Sequence, residues 1–186
     1  MRVLIVDDES LIRMDLRDII ESCGHEVVAE GTNGVEAIQL CKQHKPDIIL
    51  MDVKMPELDG IEAARQIGFH HEAPVVLLTS YSQQDLIDKA RDSGVYGYLI
   101  KPVREEQLVP TLEMALGRYK SDAQLREKMA ELEQSLEDRK IIQKGTGLLM
   151  ELYSISEEEA YNRIRALSMK TVSYTHLRAH ETEADL

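Results

Sequence analysis

Five polar side chains that could hold and transfer a phosphoryl group stand at the ends of short apolar runs. Asp7 and Asp8 follow residues 3–6, Asp52 follows 48–51, Thr79 follows 75–78, and Lys101 follows 98–100. Three carboxylates brought together repel unless a divalent cation neutralises them, and Mg²⁺ suits hard oxygen donors of this kind. A carboxylate can act as a nucleophile toward phosphorus. The charge gathering on a transferred group then needs a cationic clamp, which the metal and Lys101 would supply. Taken singly, each residue has a plainer reading. Asp8 and Thr79 could cap the helices that follow them, and Lys101 could be a surface lysine before a proline. Their repetition at four separate strand ends points instead to one shared site.

The elements that must carry these residues are legible as alternation. Apolar runs at 3–6, 27–29, 48–51, 75–78 and 98–100 are nearly continuous, as expected of parallel strands covered on both faces. Helix-like stretches lie between and after them at 11–23, 35–43, 61–67, 83–93 and 105–116. Turn signals at Gly24, Asn33-Gly34, Lys45-Pro46, Asp59-Gly60, Ala73-Pro74 and Gly94 punctuate the joins. Five strands alternating with five helices define an α/β domain around a parallel sheet. In such sheets ligands bind beyond the carboxyl ends of the strands, where all five polar groups fall.

After Leu116 the strand signals stop. Leu125, Met129, Leu132 and Leu136 repeat at four, three and four residues, the a/d seam of about two heptads. Neither Pro nor Gly interrupts 118–144, so this reads as a helix leaving the first domain; its apolar stripe suits a dimer seam or packing on its own domain equally. A second helical block spans 141–169, in which Ser156-Glu157-Glu158-Glu159 is a capping-box pattern that places a helix start at Ser156.

Composition narrows the partners. The 186 residues carry a net charge of −12 and 43% apolar residues, with no run long enough to cross a bilayer and no signal-peptide pattern at the start. Cys23 and Cys41 are too few for a disulfide framework and read as small buried thiols in a reducing compartment, the cytoplasm. An acidic chain is a poor polyanion binder, but the charge is uneven. Residues 139–170 hold six basic and four acidic side chains, the only segment with a positive balance. His176 and His180 stand four apart, without the carboxylate pattern of a metal site.

The segments Leu4-Ile5-Val6-Asp7-Asp8-Glu9, Met51-Asp52-Val53-Lys54-Met55-Pro56, Leu78-Thr79-Ser80 and Gly97-Tyr98-Leu99-Ile100-Lys101-Pro102 resemble the receiver domain of two-component response regulators. The resemblance covers residues 1–118. It implies a flavodoxin-like sheet in the order 2-1-3-4-5, a regulator rather than an enzyme, and phosphoryl transfer to Asp52 from a sensor histidine kinase. It implies Mg²⁺ held by Asp8, Asp52 and the Lys54 backbone carbonyl, with Asp7 acting through water. Lys101 would pair with the phosphoryl oxygens ahead of a cis bond to Pro102, with Thr79 and Tyr98 as the switch pair.

Beyond a helical coiled-coil linker at 119–139, the segments Asp138-Arg139-Lys140-Ile141-Ile142, Gly147-Leu148-Leu149-Met150 and Ser156-Glu157-Glu158-Glu159-Ala160-Tyr161 resemble the ANTAR module. These are small three-helix RNA-binding domains that act in transcription antitermination. The resemblance gives a module at 140–171 with RNA contacts from Lys140, Lys144, Gly147, Arg163, Arg165 and Lys170. Gly145 and Thr146 stand where relatives commonly carry Ala and Lys. Residues 172–186 match no part of the module and read as a foreign tail without a packed apolar face. The expected function is a phosphorylation-controlled antiterminator that dimerises on phosphorylation and binds RNA hairpins, with no membrane partner. A DNA-binding regulator and a receiver-only dimerising switch remain the alternatives.

Overall fold

Apolar strands with no polar face can be buried only by helices on both sides of the sheet, and that is the arrangement found. The structure, a computed structural model, describes residues 1–70, 72–80 and 94–167. Strands β1 (Arg2–Val6), β2 (Glu26–Gly31), β3 (Ile48–Asp52), β4 (Val75–Thr79) and β5 (Val95–Ile100) form one sheet in the order β2-β1-β3-β4-β5, every pairing parallel. Helices α1 (Ser10–Ser22), α2 (Gly34–His44) and α3 (Gly60–Phe69) follow β1, β2 and β3. The expected helix at 83–93 and the tail at 172–186 lie outside the described residues.

Alternate residues of each strand enter two separate cores. Leu4, Val6, Ile49, Met51 and Leu77 pack with Ala37 and Cys41 of α2 and Ala63, Ala64 and Ile67 of α3. Val3, Ile5, Ile48, Leu50, Val76 and Leu78 pack with Leu16 and Ile20 of α1 and with Leu108, Leu112 and Ala115. The last three sit on α4 (Glu105–Tyr153), a single helix of 49 residues. Strand β5 is longer at its start than its apolar run predicts. It begins at Val95, with an irregular register where Val75 and Val76 pair with Val95 and Gly97.

In the α/β domain two helix starts are fixed by side-chain caps, and the second bears on the site. Asn33 Oδ1 accepts from Glu36 N at the head of α2, and Asp59 Oδ1 accepts from Glu62 N at the head of α3. Gly60, next to the second cap, donates its N–H to the Val53 carbonyl, and a Cβ at this position would lie 2.0 Å from the Asp52 carbonyl oxygen. Only glycine lets α3 start this close to the end of β3. The thiols divide: Cys41 is buried, and burial with Glu72 beside it pushes the thiol up to about 12. Cys23 is only half-buried, contrary to the expectation of two buried thiols, because it caps the exposed end of α1.

The chain divides into two compact units between Gln124 and Leu125. In the second, α4 passes through Gly145 and Gly147 to Tyr153, and after a turn with Ser154 at φ 49 the helix α5 runs over 157–167. Ser156 caps α5 as its sequence predicts, its Oγ accepting from Glu159 N at 3.3 Å. Ala160 is fully buried, and a Cβ at Gly145 would meet Ile164 Cδ1 at 3.2 Å, so the small residue admits the α5 side chain. Thr146 is also buried, its Oγ1 donating to the Ile142 carbonyl. Leu125, Met129, Leu132 and Leu136 are each more than half exposed.

Replacing Gly60 by Ala forces backbone apart and should cost about 3 kcal/mol in urea denaturation of the full chain. The control, Gly117→Ala, adds a methyl to open space on α4 and should gain about 0.8 kcal/mol.

Candidate functional site: a carboxylate crevice and a basic helical face

The strand ends deliver the predicted residues to one crevice. Asp7 follows β1 and is fully buried; Asp52 ends β3 and is 7% exposed; Thr79 ends β4 and is buried. Lys101 follows β5 and reaches both carboxylates at once, its Nζ 2.7 Å from Asp7 Oδ2 and 2.6 Å from Asp52 Oδ1. Backbone donors take the remaining oxygens. Glu9 N–H donates to Asp7 Oδ1 at 3.0 Å, and Lys54 N–H donates to Asp52 Oδ2 at 2.9 Å. The bond from Lys101 to Pro102 is cis. Thr79 Oγ1 donates to the Ser80 carbonyl, and Tyr98 stands half-exposed on β5.

Electrostatics in the crevice is set by burial against pairing. Burial pushes the Asp52 carboxyl up, and Lys101 and the Lys54 N–H pull it back only in part. For Lys101 burial works downward, but the bonds to Asp52 and Asp7 outweigh it and hold the ammonium above its ordinary value. The two directions belong to one coupled group: a cation strongly retained by two anions, one of which ionises at a cost.

Among the described residues no three His, Cys, Asp or Glu groups form a ready metal cluster. What joins Asp7 and Asp52 here is the lysine. The donor set nevertheless fits a hard cation. Asp7 Oδ2 is buried and accepts no aligned hydrogen bond, lying against Lys101 as an ion pair only. Asp8, the next residue, is exposed. All side-chain donors are carboxylate oxygens, the chemistry that Mg²⁺ prefers.

Sequence reasoning missed what fixes the Asp7–Asp8 turn. Arg13 of α1 donates from Nη1 to the Asp7 carbonyl at 2.7 Å and from Nε to Glu30 Oε2 at 3.3 Å, while Arg17 Nε donates to Glu30 Oε1 at 2.7 Å. The sequence shows Arg13 and Arg17 one helical turn apart, but no spacing ties them to Glu30.

In the second unit, Lys140, Lys144 and Gly147 follow one another at i, i+4 and i+7 along α4, hence on one face. Both lysines are exposed, Lys140 with Glu137 at 3.4 Å, and the Cα of Gly147 opens to free space. An open groove of about 1040 Å³ between α4 and α5 is lined by Arg139, Gln143, Gly147, Met150, Tyr161 and the acids Glu157 and Glu158. Arg163 pairs with Glu159 at 3.1 Å and lies 5.8 Å over the Tyr153 ring. Arg165 is exposed, and Lys170 lies outside the described residues.

Two buried aspartates joined by a lysine at the carboxyl edge of a 2-1-3-4-5 sheet are the arrangement of a response-regulator receiver, and residues 3–113 match that domain family. Residues 130–172 match the ANTAR domain. The chain therefore belongs to the response regulators, and within them to those that join a receiver to an ANTAR output: phosphorylation-controlled, RNA-binding regulators of transcription antitermination. It is 43% identical over 168 residues to the transcriptional regulatory protein PdtaR of Mycobacterium tuberculosis (strain ATCC 25618 / H37Rv), covering 90% of this chain and 82% of that protein. The chemotaxis protein CheY of Thermotoga maritima is 40% identical over 112 residues, 60% of this chain and 93% of that one. Among solved structures, the receiver domain of a modulated diguanylate cyclase from Desulfovibrio desulfuricans G20 is similar at TM-score 0.60 and 34% identity, over 64% of this chain and 96% of that one.

Removing the shared cation tests this electrostatic account. Lys101→Met leaves two buried carboxylates facing each other, a loss on the order of 2 kcal/mol at pH 7, given the partial exposure of the crevice. Asp52 already binds its proton more tightly in the fold than in the unfolded chain, so its ionised form opposes folding above its folded value. The variant raises that value further. Its deficit against the unaltered chain should therefore shrink as pH falls from neutral toward the ordinary carboxylate range, as read by urea midpoints across that window.

Proposed function

We propose that Asp52 is the sole phosphoryl acceptor and that its modification controls RNA binding by the α4–α5 segment. The observation that carries this reading is the Lys101 ammonium held between Asp7 and Asp52. Transfer makes a bond from an Asp52 carboxylate oxygen to phosphorus and breaks the bond to the donor, a kinase phosphohistidine or the acyl oxygen of acetyl phosphate. Asp8, Asp52 and the Lys54 carbonyl would hold Mg²⁺, with Asp7 acting through water. The metal, when bound, neutralises charge on the transferred oxygens. Lys101 is released from Asp52 Oδ1 to pair with the phosphoryl group, and Thr79 hydrogen-bonds the same group, drawing on Tyr98.

The route outward lies in β5 and α4. Tyr96 of β5 meets Tyr119 of α4 edge-on, ring centroids 5.4 Å apart, so a shift of the strand bearing Tyr98 is felt by the long helix. The exposed stripe of Leu125, Met129, Leu132 and Leu136 then pairs with its copy in a second chain. A single segment with a slight positive balance neutralises few phosphates. Two linked segments raise the effective concentration of the second contact and with it the affinity. Lys140, Lys144, Arg163, Arg165 and Lys170 supply the cations, and Gly147 allows close approach of the RNA backbone. Unpaired loop bases are the part of a hairpin open to specific reading. The site of action is the cytoplasm, where a sensor kinase presents its phosphohistidine.

Incubation with acetyl phosphate and Mg²⁺ should add one phosphoryl mass to the full chain and none to Asp52→Asn or in excess chelator. Gel shifts across a salt series should favour tandem-hairpin RNA over duplex DNA, more so after phosphorylation. A preference for duplex DNA would refute the RNA reading, and equal labelling of Asp52→Asn would refute the acceptor. The double substitution Lys140→Ala with Lys144→Ala should weaken RNA binding across sequences and reduce the log–log salt slope by about 2.

A further inference from the structure

The geometry points to Arg13 as a positioning residue for the cation site, acting through the backbone between Asp7 and Asp8; this rests on the Mg²⁺ reading above. Asp7 is held at every polar atom. Its N–H donates to the Gly31 carbonyl at 3.1 Å, Oδ1 accepts from Glu9 N–H, Oδ2 faces Lys101, and the carbonyl accepts from Arg13 Nη1 at 2.7 Å. Of these four, the last sits at the peptide leading into Asp8 and so sets the direction in which Asp8 leaves the strand. A guanidinium is suited to the task, because its planar fork can hold two acceptors in fixed relation. Here the two are the Asp7 carbonyl and Glu30 Oε2.

Glu30 is in turn fixed from outside. Arg17, one turn further along α1, donates to its other oxygen. Arg13 is 16% exposed and Glu30 22%, so water competes only weakly for the inner pair, whereas Arg17 at 48% closes it from the solvent side. The chain of contacts runs from β2 through α1 to the one peptide that presents Asp8. Asp8 itself is exposed, and its carboxylate has no hydrogen bond or ion pair among the described residues, so its own side chain does nothing to orient it. A metal ligand without local support depends on the backbone behind it, and outer contacts of this kind commonly govern affinity by 10–100-fold.

The test is calorimetric titration of Mg²⁺ into the full, unphosphorylated chain, paired with acetyl phosphate labelling across Mg²⁺ concentrations. Arg13→Met should weaken Mg²⁺ roughly 10-fold and shift the Mg²⁺ dependence of labelling by the same factor, while the rate at saturating Mg²⁺ stays within about twofold. Glu30→Gln keeps the bond to the carbonyl but loosens its anchor and should weaken Mg²⁺ by about threefold, a part of the same effect. Arg65→Met, which breaks an exposed pair with Glu62 on α3, is the control and should leave Mg²⁺ binding unchanged. Circular dichroism melts check that Arg13→Met is folded at the assay temperature. Unchanged Mg²⁺ affinity in folded Arg13→Met would overturn the inference and leave the metal site standing. A loss at saturating Mg²⁺ as large as the loss in affinity would also overturn it, since that marks general damage. Failure of the unaltered chain to bind Mg²⁺ would overturn both this inference and the metal reading beneath it.

Discussion

Everything in the receiver unit is arranged around a lysine ammonium shared by two buried carboxylates. Burying Asp7 completely and Asp52 almost completely is unfavourable in itself, and Lys101 between them offsets part of that cost. The cation must come from a different strand than either anion, which requires β1, β3 and β5 to end at one level. A parallel sheet with helices on both faces meets that requirement, since every strand then runs the same way and ends at the same edge. The site therefore depends on the fold's polarity as much as on its residues. In turn, the tension between burial and pairing leaves Asp52 a carboxylate that ionises at a cost.

The same constraint explains which parts of the structure could be read from residues alone. Strand identity was legible because buried parallel strands leave no polar face, and the two cores on either side of β1, β3 and β4 account for runs such as Ile48 to Met51. The crevice was legible because its members fall at the same point of each repeat. The start of β5 was not, since Val95, Tyr96 and Gly97 carry no continuous apolar signal and the strand is lengthened there by pairing with β4. Arg13 and Glu30 were invisible for a related reason. A salt bridge between a helix and the next strand leaves no spacing pattern in the chain, and its significance lies in a backbone carbonyl that no sequence displays.

The second unit shows the opposite balance. Its family resemblance was readable in short motifs, yet the reason for two of its departures emerges only from packing. Gly145 is where Ile164 comes closest, and Thr146 turns inward with its hydroxyl on the helix backbone, so this turn of α4 serves the contact with α5. The cationic stripe lies on the neighbouring face at Lys140 and Lys144. Two helices joined by a left-handed Ser154 and the capping Ser156 give that face its shape, while the long helix supplies most of its residues.

The unequal burial of the two cysteines gives the molecule a chemical asymmetry of practical use. Cys41 lies inside the core with its thiol pushed up to about 12, so at neutral pH almost none of it is the reactive thiolate. Cys23 sits at the end of α1 with its Sγ 3.6 Å from Glu105 Oε1, at the very start of α4. The chain, which contains no tryptophan, thus offers one accessible thiol at the root of its output helix. A fluorophore coupled there needs no engineered cysteine, and its emission would report on the joint between α1 and the helix that leaves the receiver.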